Sequence, residues 1–204
     1  MQLIGMLDSP YVRRVAISMK LMGIGFEHQS VSVFRDFDRF RAINPVVKAP
    51  TLVCDDGTML MDSTLILDYL ETTVAAERRL MPAGGGERRE ALRLIGLALA
   101  ACEKCVQVVY ERERRPADKQ HLPWLERVTG QALAAFDCLE PAAAKASPGL
   151  MGAGFNAADL MVAVAWRFGQ YYDADVIAAS RFPALVAFSA RAESIPAFVS
   201  TPLN

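Results

Sequence analysis

Ser9-Pro10-Tyr11-Val12-Arg13-Arg14-Val15 is the stretch of this chain best placed to do chemistry. It puts a hydroxyl directly before a helical pattern. Ser is a favoured N-cap residue and Pro suits the first helical position. The Ser9 hydroxyl then stands where backbone N–H groups converge and the helix dipole favours negative charge. Such a position can hold an anion or help to make one. It is equally the position of a plain helix cap. Asp62-Ser63 repeats the arrangement in front of a second helical pattern, Thr64 to Thr73. Cys102-Glu103-Lys104-Cys105 has the spacing of a redox or metal motif, but it lies inside a long helical pattern and not at a strand-to-helix turn. No second Cys/His pair completes a zinc site, and His28 and His121 have no partners at ligand spacing, so no metal is expected. The thiols read as core or pocket groups.

The elements that must position these residues follow from periodicity. Gln2 to Met6 reads as a strand. Pro10 to Met22 reads as a helix with Val12, Val15, Ala16 and Met19 on one face and Gly23 as its stop. Phe26 to Val33 is a second strand with imperfect alternation. Asp36 to Ile43 is a short helix with Phe37, Phe40 and Ile43 inward, ended by Asn44-Pro45. A strand follows Pro50, and Asp55-Asp56-Gly57-Thr58 turns it into a partner strand, Met59 to Met61. The next helix turns Ile66, Tyr69 and Leu70 inward. This β-α-β-α-β-β-α order implies a parallel first pair and an antiparallel edge.

Beyond Leu80-Met81-Pro82-Ala83-Gly84-Gly85-Gly86 everything is helical in period. Glu87 to Arg115 carries a stripe of Ile95, Leu99, Cys102, Val106 and Val109. Pro123 to Ala144 turns Leu125, Val128, Ala132, Phe136 and Leu139 inward. Asn156 to Asp159 reads as a capping box before a helix that is apolar nearly all round, and Phe182 to Ser194 is the last helix. The expected division is residues 1–78, a linker over 79–86, and an all-helical domain over 87–204.

The 204 residues are 52% hydrophobic and 22% charged, enough for one large domain or two small ones with a sizeable core. The net charge of −1 argues against a nucleic-acid partner. Arg112, Arg114 and Arg115 interleave with Glu111 and Glu113 as a solvated helix face. Met1 to Pro10 has no basic region leading a long apolar run. The most apolar segment, Ala157 to Trp166, is broken by Asp159 and is shorter than the roughly 20 residues a bilayer span takes. A cytoplasmic protein without a membrane partner is expected.

Several motifs stand in order along the whole chain: Ser9-Pro10-Tyr11-Val12-Arg13-Arg14-Val15, Asn44-Pro45-Val46-Val47-Lys48-Ala49-Pro50-Thr51-Leu52, Asp62-Ser63-Thr64-Leu65-Ile66, Leu80-Met81-Pro82, Asn156 to Asp159, and Ile195-Pro196-Ala197-Phe198. With the change from mixed to helical pattern, they resemble the cytosolic glutathione S-transferase family, in its bacterial, serine-type form. The resemblance implies an α/β thioredoxin-like N-terminal domain and an all-α C-terminal helical domain. It implies glutathione as co-substrate with no other cofactor, a small hydrophobic electrophile as second substrate, and a homodimer.

Residue by residue, the resemblance makes Ser9 the donor to the glutathione sulfur. Asp62 would meet the γ-glutamyl ammonium and Ser63 the γ-glutamyl carboxylate. Pro50, if cis, would turn the Ala49 backbone toward the cysteinyl backbone, and Lys48 would reach the glycyl carboxylate. From the residues alone, a trans proline and a solvated lysine remain open. The electrophile would lie between the halves, with Tyr11, Phe34, Cys105, Val109 and Tyr110 as candidate walls. Position 9 is Ser where cysteine-type relatives carry Cys, which argues against mixed-disulfide chemistry. No Ser-Ser-Cys signature points to the maleylacetoacetate isomerase class. Two other functions stay open: a non-catalytic glutathione-binding or regulatory protein on the same fold, and a redox enzyme using Cys102 and Cys105.

Overall fold

A computed structural model describes residues 1–152 and 154–203. They form two compact units. The first holds β1 (Gln2–Ile4), α1 (Pro10–Leu21), β2 (Glu27–Gln29), α2 (Phe37–Ile43), β3 (Thr51–Val53), β4 (Met59–Met61) and α3 (Ser63–Thr72). The second holds α4 (Gly85–Glu113), α5 (Leu122–Ala144), α6 (Ala157–Tyr172) and α7 (Pro183–Glu193).

In the first unit the strands lie in the order β2-β1-β3-β4. β1 runs parallel to β2 and antiparallel to β3, and β3 pairs antiparallel with β4. Adjacent strand residues face opposite ways, so the short β1 feeds two cores. Leu3 joins Val12, Val15, Met19, Leu52, Ile66 and Leu70. Ile4 joins Val31 and Phe40. Helices α1 and α3 therefore cover one face and α2 the other. The second strand is shorter than its hydrophobic run suggests. Glu27 and His28 are exposed on an edge strand, while Val31 turns into the core beyond it.

Two inward assignments fail here. Phe37 is 47% exposed, flanked by the Arg41 guanidinium 5.6 Å from its ring centre, and Phe40 alone of the α2 residues is buried. Tyr69 is 40% exposed because Ile66 and Leu70 occupy the buried face of α3.

In the second unit α4 packs on both α5 and α6, and α7 packs on α5 and α6. The buried face of α4 is accordingly broad: Leu94, Ile95, Ala98, Ala101, Cys102, Cys105 and Val108. Leu99, Val106 and Val109 flank it half-buried, so the seam is rotated from the expected stripe. Helix α6 is buried nearly all round. Its Trp166 meets Phe136 and Phe182 edge-on at 5.4 and 5.5 Å. The capping box is present: the Asn156 side chain accepts from the first-turn amides and Asp159 accepts from Asn156 N at 2.9 Å. Asp159 also accepts from Leu150 N at 2.6 Å. Burial pushes its carboxyl above the usual range, and these backbone donors oppose that shift. The loop above it needs Gly149, where a Cβ would stand 2.4 Å from the Gly154 carbonyl.

The C-terminal segment does not stay with the helices that precede it. By its contacts the segment 195–203 belongs to the first unit, whereas the expected all-helical domain ran over 87–204. Its short helix α8 (Pro196–Val199) packs on α1. Arg13, fully buried, donates from Nε to the Thr201 carbonyl at 2.8 Å and lies 5.6 Å from the Phe198 ring centre. Lys20 Nζ reaches the Ser200 carbonyl at 2.9 Å. A buried guanidinium requires such partners, and the tail supplies them.

Gly5 joins the first unit's parts. Its φ is +134°, and a Cβ there would stand 2.6 Å from Val12 Cγ2 and 3.0 Å from Ala49 Cβ. Strand β1, the start of α1 and the loop before β3 thus meet with no room for a side chain. Gly5→Ala is expected to cost about 3 kcal/mol, from strain at positive φ plus overpacking. Urea unfolding of the variant beside the parent measures this.

Candidate functional site

Ser9 caps α1 with extended backbone, φ −71° and ψ 122°, and Pro10 takes the first helical position. The Ser9 Oγ accepts from Val12 N at 3.4 Å, a long and therefore weak cap. Accepting uses a lone pair. The hydroxyl proton stays available to a further acceptor, so capping and donating do not compete.

The loop before β3 is held by a polar chain that spacing alone did not suggest. Asn44, 2% exposed, donates from Nδ2 to Thr51 Oγ1 at 2.9 Å, and its Oδ1 accepts from Val46 N at 3.0 Å. Thr51 Oγ1 donates to the Lys48 carbonyl at 2.8 Å. Val47 takes the left-handed region at φ 52°. The Ala49–Pro50 bond is cis, and Pro50 is buried. Ala49 is small where Gly5 approaches.

Asp62 stands at φ 71° and caps α3 through Oδ1, which accepts from Thr64 N at 2.9 Å. Its other oxygen lies 4.0 Å from Lys48 Nζ, both side chains being about half exposed. Such a pair contributes little to stability, and both groups remain open to a ligand. Ser63 is buried, and Arg14 NH1 donates to its Oγ at 3.3 Å and to Thr64 Oγ1 at 3.4 Å. Sequence reading missed Arg14. Two adjacent arginines look like a solvated pair, and the burial of one depends on hydroxyls 49 and 50 residues away.

Ser9, Lys48, Ala49, Pro50, Asp62 and Ser63 all lie in the first unit. Val12 and Ala49 meet over Gly5, Lys48 stands beside Asp62, and Arg14 links α1 to the start of α3. The arrangement offers two helix N-termini, an ammonium, a carboxylate and hydroxyl donors from two helix starts and one loop. It suits an extended ligand with a carboxylate at each end and an amine.

The proposed wall residues fall in separate units. Tyr11 is half-buried on α1, and Phe34 is 44% exposed before α2. Val109 is half-buried and Tyr110 is 45% exposed, both on α4. Cys105 departs from expectation. It is fully buried in the seam of the second unit, its thiol against the carboxylate of Asp173, which follows α6. Burial and the neighbouring Asp173 charge push the thiol far up, and Cys102 is equally buried. Thiols in this state are poor nucleophiles, which removes the physical basis for redox chemistry at this pair. All four cysteines are free.

Residues 3–78 match the family model of the glutathione S-transferase N-terminal domain. The chain is 29% identical over 140 residues to the GST-like protein YibF of Escherichia coli K12, covering 69% of this chain and 68% of that one. It is 27% identical over 133 residues to maleylacetoacetate isomerase of Pseudomonas aeruginosa, covering 62% and 63%. Among solved structures, a glutathione transferase family member from Pseudomonas fluorescens Pf-5, with bound glutathione, superposes with a TM-score of 0.87 at 27% identity, over 100% of this chain and 98% of that one.

Burial pushes Asp173 up to about 6 from an ordinary 3.8, and the Arg112 guanidinium opposes this only in part. The folded chain thus keeps this proton up to about pH 6, whereas the unfolded chain loses it near pH 4. The stability that depends on it falls as pH rises from about 4 to about 6 and stays low above that. Asp173→Asn is expected to gain about 1–3 kcal/mol on the parent between pH 5 and pH 7.5. Melting curves of both proteins at the two pH values check this: a difference that does not change with pH overturns it.

Proposed function

We propose that this chain, whose residues 3–78 match the family model of the glutathione S-transferase N-terminal domain and whose fold is that of a solved glutathione transferase family member, is a glutathione transferase acting on a small hydrophobic electrophile. One observation carries the reading. The start of α1, the cis Ala49–Pro50 loop and the start of α3 converge in a single unit, with Ser9, Lys48, Asp62 and Ser63 at their tips. The solved relative with glutathione bound supports it.

The chemistry follows from the parts. Glutathione carries two carboxylates, one ammonium and a thiol. Ser63 and the α3 amides take the γ-glutamyl carboxylate, and Asp62 takes the ammonium. The Ala49 backbone pairs with the cysteinyl backbone as an added strand. Lys48 takes the glycyl carboxylate. The sulfur then lies at the start of α1. A free thiol has a pKa of about 8.5, and bringing it down by about two units takes ~3 kcal/mol of preferential thiolate stabilisation. The Ser9 O–H and the positive end of α1 supply this together. The thiolate forms the S–C bond at the electrophilic carbon. Either a leaving group departs with its electron pair, or a polarised double bond accepts the pair and then a proton. Ser9 is a hydrogen-bond donor here and is never itself acylated or alkylated. Glutathione is the co-substrate, and the reaction calls for no further cofactor.

We place the protein in the cytoplasm, where thiols are kept reduced, and its four free cysteines fit that setting. We also propose a homodimer. Met59 and Met61 on β4 and Leu65 and Tyr69 on α3 are each at least 39% exposed, an apolar group that a second copy would cover.

Retention on immobilised glutathione, and conjugation of an aryl halide, test the main reading. Ser9→Ala is expected to lower turnover roughly tenfold to hundredfold, the worth of a hydrogen bond to a charged acceptor, with glutathione affinity changed less than about threefold. Turnover unchanged in that variant would remove the role given to Ser9. The dimer is checked by sedimentation equilibrium of the parent and of Leu65→Glu with Tyr69→Glu, which is expected to be monomeric.

A further inference from the structure

The second unit has a groove of its own, and the glutathione reading makes no use of it. It lies between α6 and α7 and has a volume of about 370 Å³, a size suited to a small molecule. Helix α7 lines it with Val186, Ser189, Ala190 and Glu193, which recur along one helical face. Helix α6 contributes Trp166, Arg167 and Gln170, and Ala179 comes from the segment that joins the two helices.

Polar groups in this groove lack the partners that such groups normally have. Trp166 is 3% exposed and Ser189 is 4% exposed. Buried indole N–H groups and hydroxyls are usually hydrogen-bonded. The Trp166 ring meets Phe136 and Phe182, yet neither its Nε1 nor the Ser189 Oγ has a hydrogen-bond partner among the described residues. The exposed Arg167 guanidinium makes no hydrogen bond or ion pair with a described residue. Gln170 donates from Nε2 to the Ile177 carbonyl at 2.6 Å. That bond fixes the plane of the amide and leaves its Oε1 as an unused acceptor. Glu193 already has a partner, and its charge still opposes a second anion beside it.

These groups sort by chemistry. A guanidinium with an N–H and an O–H donor suits one carboxylate. An amide oxygen near a negative charge suits an ammonium. Ala179, Val186 and Ala190 offer apolar surface to a short hydrocarbon chain. We propose that the groove between α6 and α7 binds a free α-amino acid with an apolar side chain. Arg167, Trp166 Nε1 and Ser189 Oγ take its carboxylate, Gln170 Oε1 takes its ammonium with Glu193 adding charge, and Val186 seats its side chain. This goes beyond the glutathione reading, which rests on the first unit. A simple acid leaves the Gln170 oxygen without a donor. A simple amine leaves the guanidinium and both donors without an acceptor, and covering an unpaired polar group is costly.

The probe is L-leucine. Labelling the two tryptophans with heavy nitrogen gives two indole N–H signals in an NMR spectrum, and Trp124→Phe identifies that of Trp166. Leucine at millimolar concentration is expected to shift the Trp166 signal to saturation and to leave that of Trp124 in place. Isocaproate lacks only the ammonium of leucine, and isoamylamine lacks only its carboxylate. Each is expected to bind about tenfold more weakly or worse, because charge-assisted hydrogen bonds are lost. Arg167→Met is expected to weaken leucine binding about tenfold or more, and Ser189→Ala about threefold. Arg167→Lys should recover part of the loss, as a point charge without the planar fork. Retention on immobilised glutathione should be unchanged in Arg167→Met, whose folding is checked by circular dichroism.

A Trp166 signal that does not move, or that moves without saturating, overturns the proposal. So does isocaproate or isoamylamine binding as tightly as leucine, which would make the groove a site for a simple acid or a simple amine. So does leucine affinity unchanged in Arg167→Met. If Arg167→Met fails to fold, Arg167→Gln replaces it with the same expected loss.

Discussion

The approach of three chain segments at Gly5 sets the geometry of the first unit. A strand end, a helix start and a loop meet where no Cβ fits. Gly5 N donates to Gln29 O at 3.0 Å, and the Gly5 carbonyl lies 2.7 Å from His28 Nε2, so its peptide groups are tied to the neighbouring strand. Once that junction is fixed, the position of Ser9 relative to Ala49 is fixed too. Neither residue reaches its place by its own preference. The cap at Ser9 is weak, and the loop carrying Ala49 is shaped by Asn44 and Thr51. Packing at a single atom-sized gap converts two flexible segments into one rigid edge.

Buried charge does the rest of the alignment. Arg13 and Arg14 leave α1 in adjacent positions and are held by different parts of the unit. Leaving either guanidinium unpaired in the interior would be costly. Their pairing therefore fixes α1 both along its axis and about it. The same logic appears in the second unit at Asp159, whose carboxylate is satisfied by backbone amides from two segments. Asp173 is the contrasting case, a carboxylate buried against a thiol without comparable donors.

Much of this was legible in the sequence because local rules sufficed. The hairpin at Asp55 to Thr58, the proline and serine at the start of α1, and the Asn156 to Asp159 cap each encode their geometry within a few residues. The parallel first pair and the antiparallel edge follow from the order of elements. Sequence failed where a residue's environment comes from far along the chain. Phe37 and Tyr69 fit an inward period, yet their helices bury only the neighbouring positions. Cys105 sits opposite a residue 68 positions on, so nothing nearby marks it as sealed from ligands. Arg14 reads as surface until Ser63 and Thr64 are brought to it. The broad face of α4 was likewise hidden, because one stripe describes one neighbour and this helix has two.

The return of the C-terminal segment to α1 has a consequence for how the molecule is made. A chain leaves the ribosome from its N-terminus, and domains commonly fold as they emerge. Here the first unit is discontinuous: its opening helix waits for Phe198 and Thr201, which are synthesised after the whole of the helical unit. Until they arrive, the Arg13 guanidinium has neither its carbonyl nor its aromatic cover. Of the two units, the one that carries Ser9 starts to be made before the helical unit and is completed after it, so the contact that closes it joins residues 188 positions apart and is slow to form by the usual scaling of folding rate with contact separation.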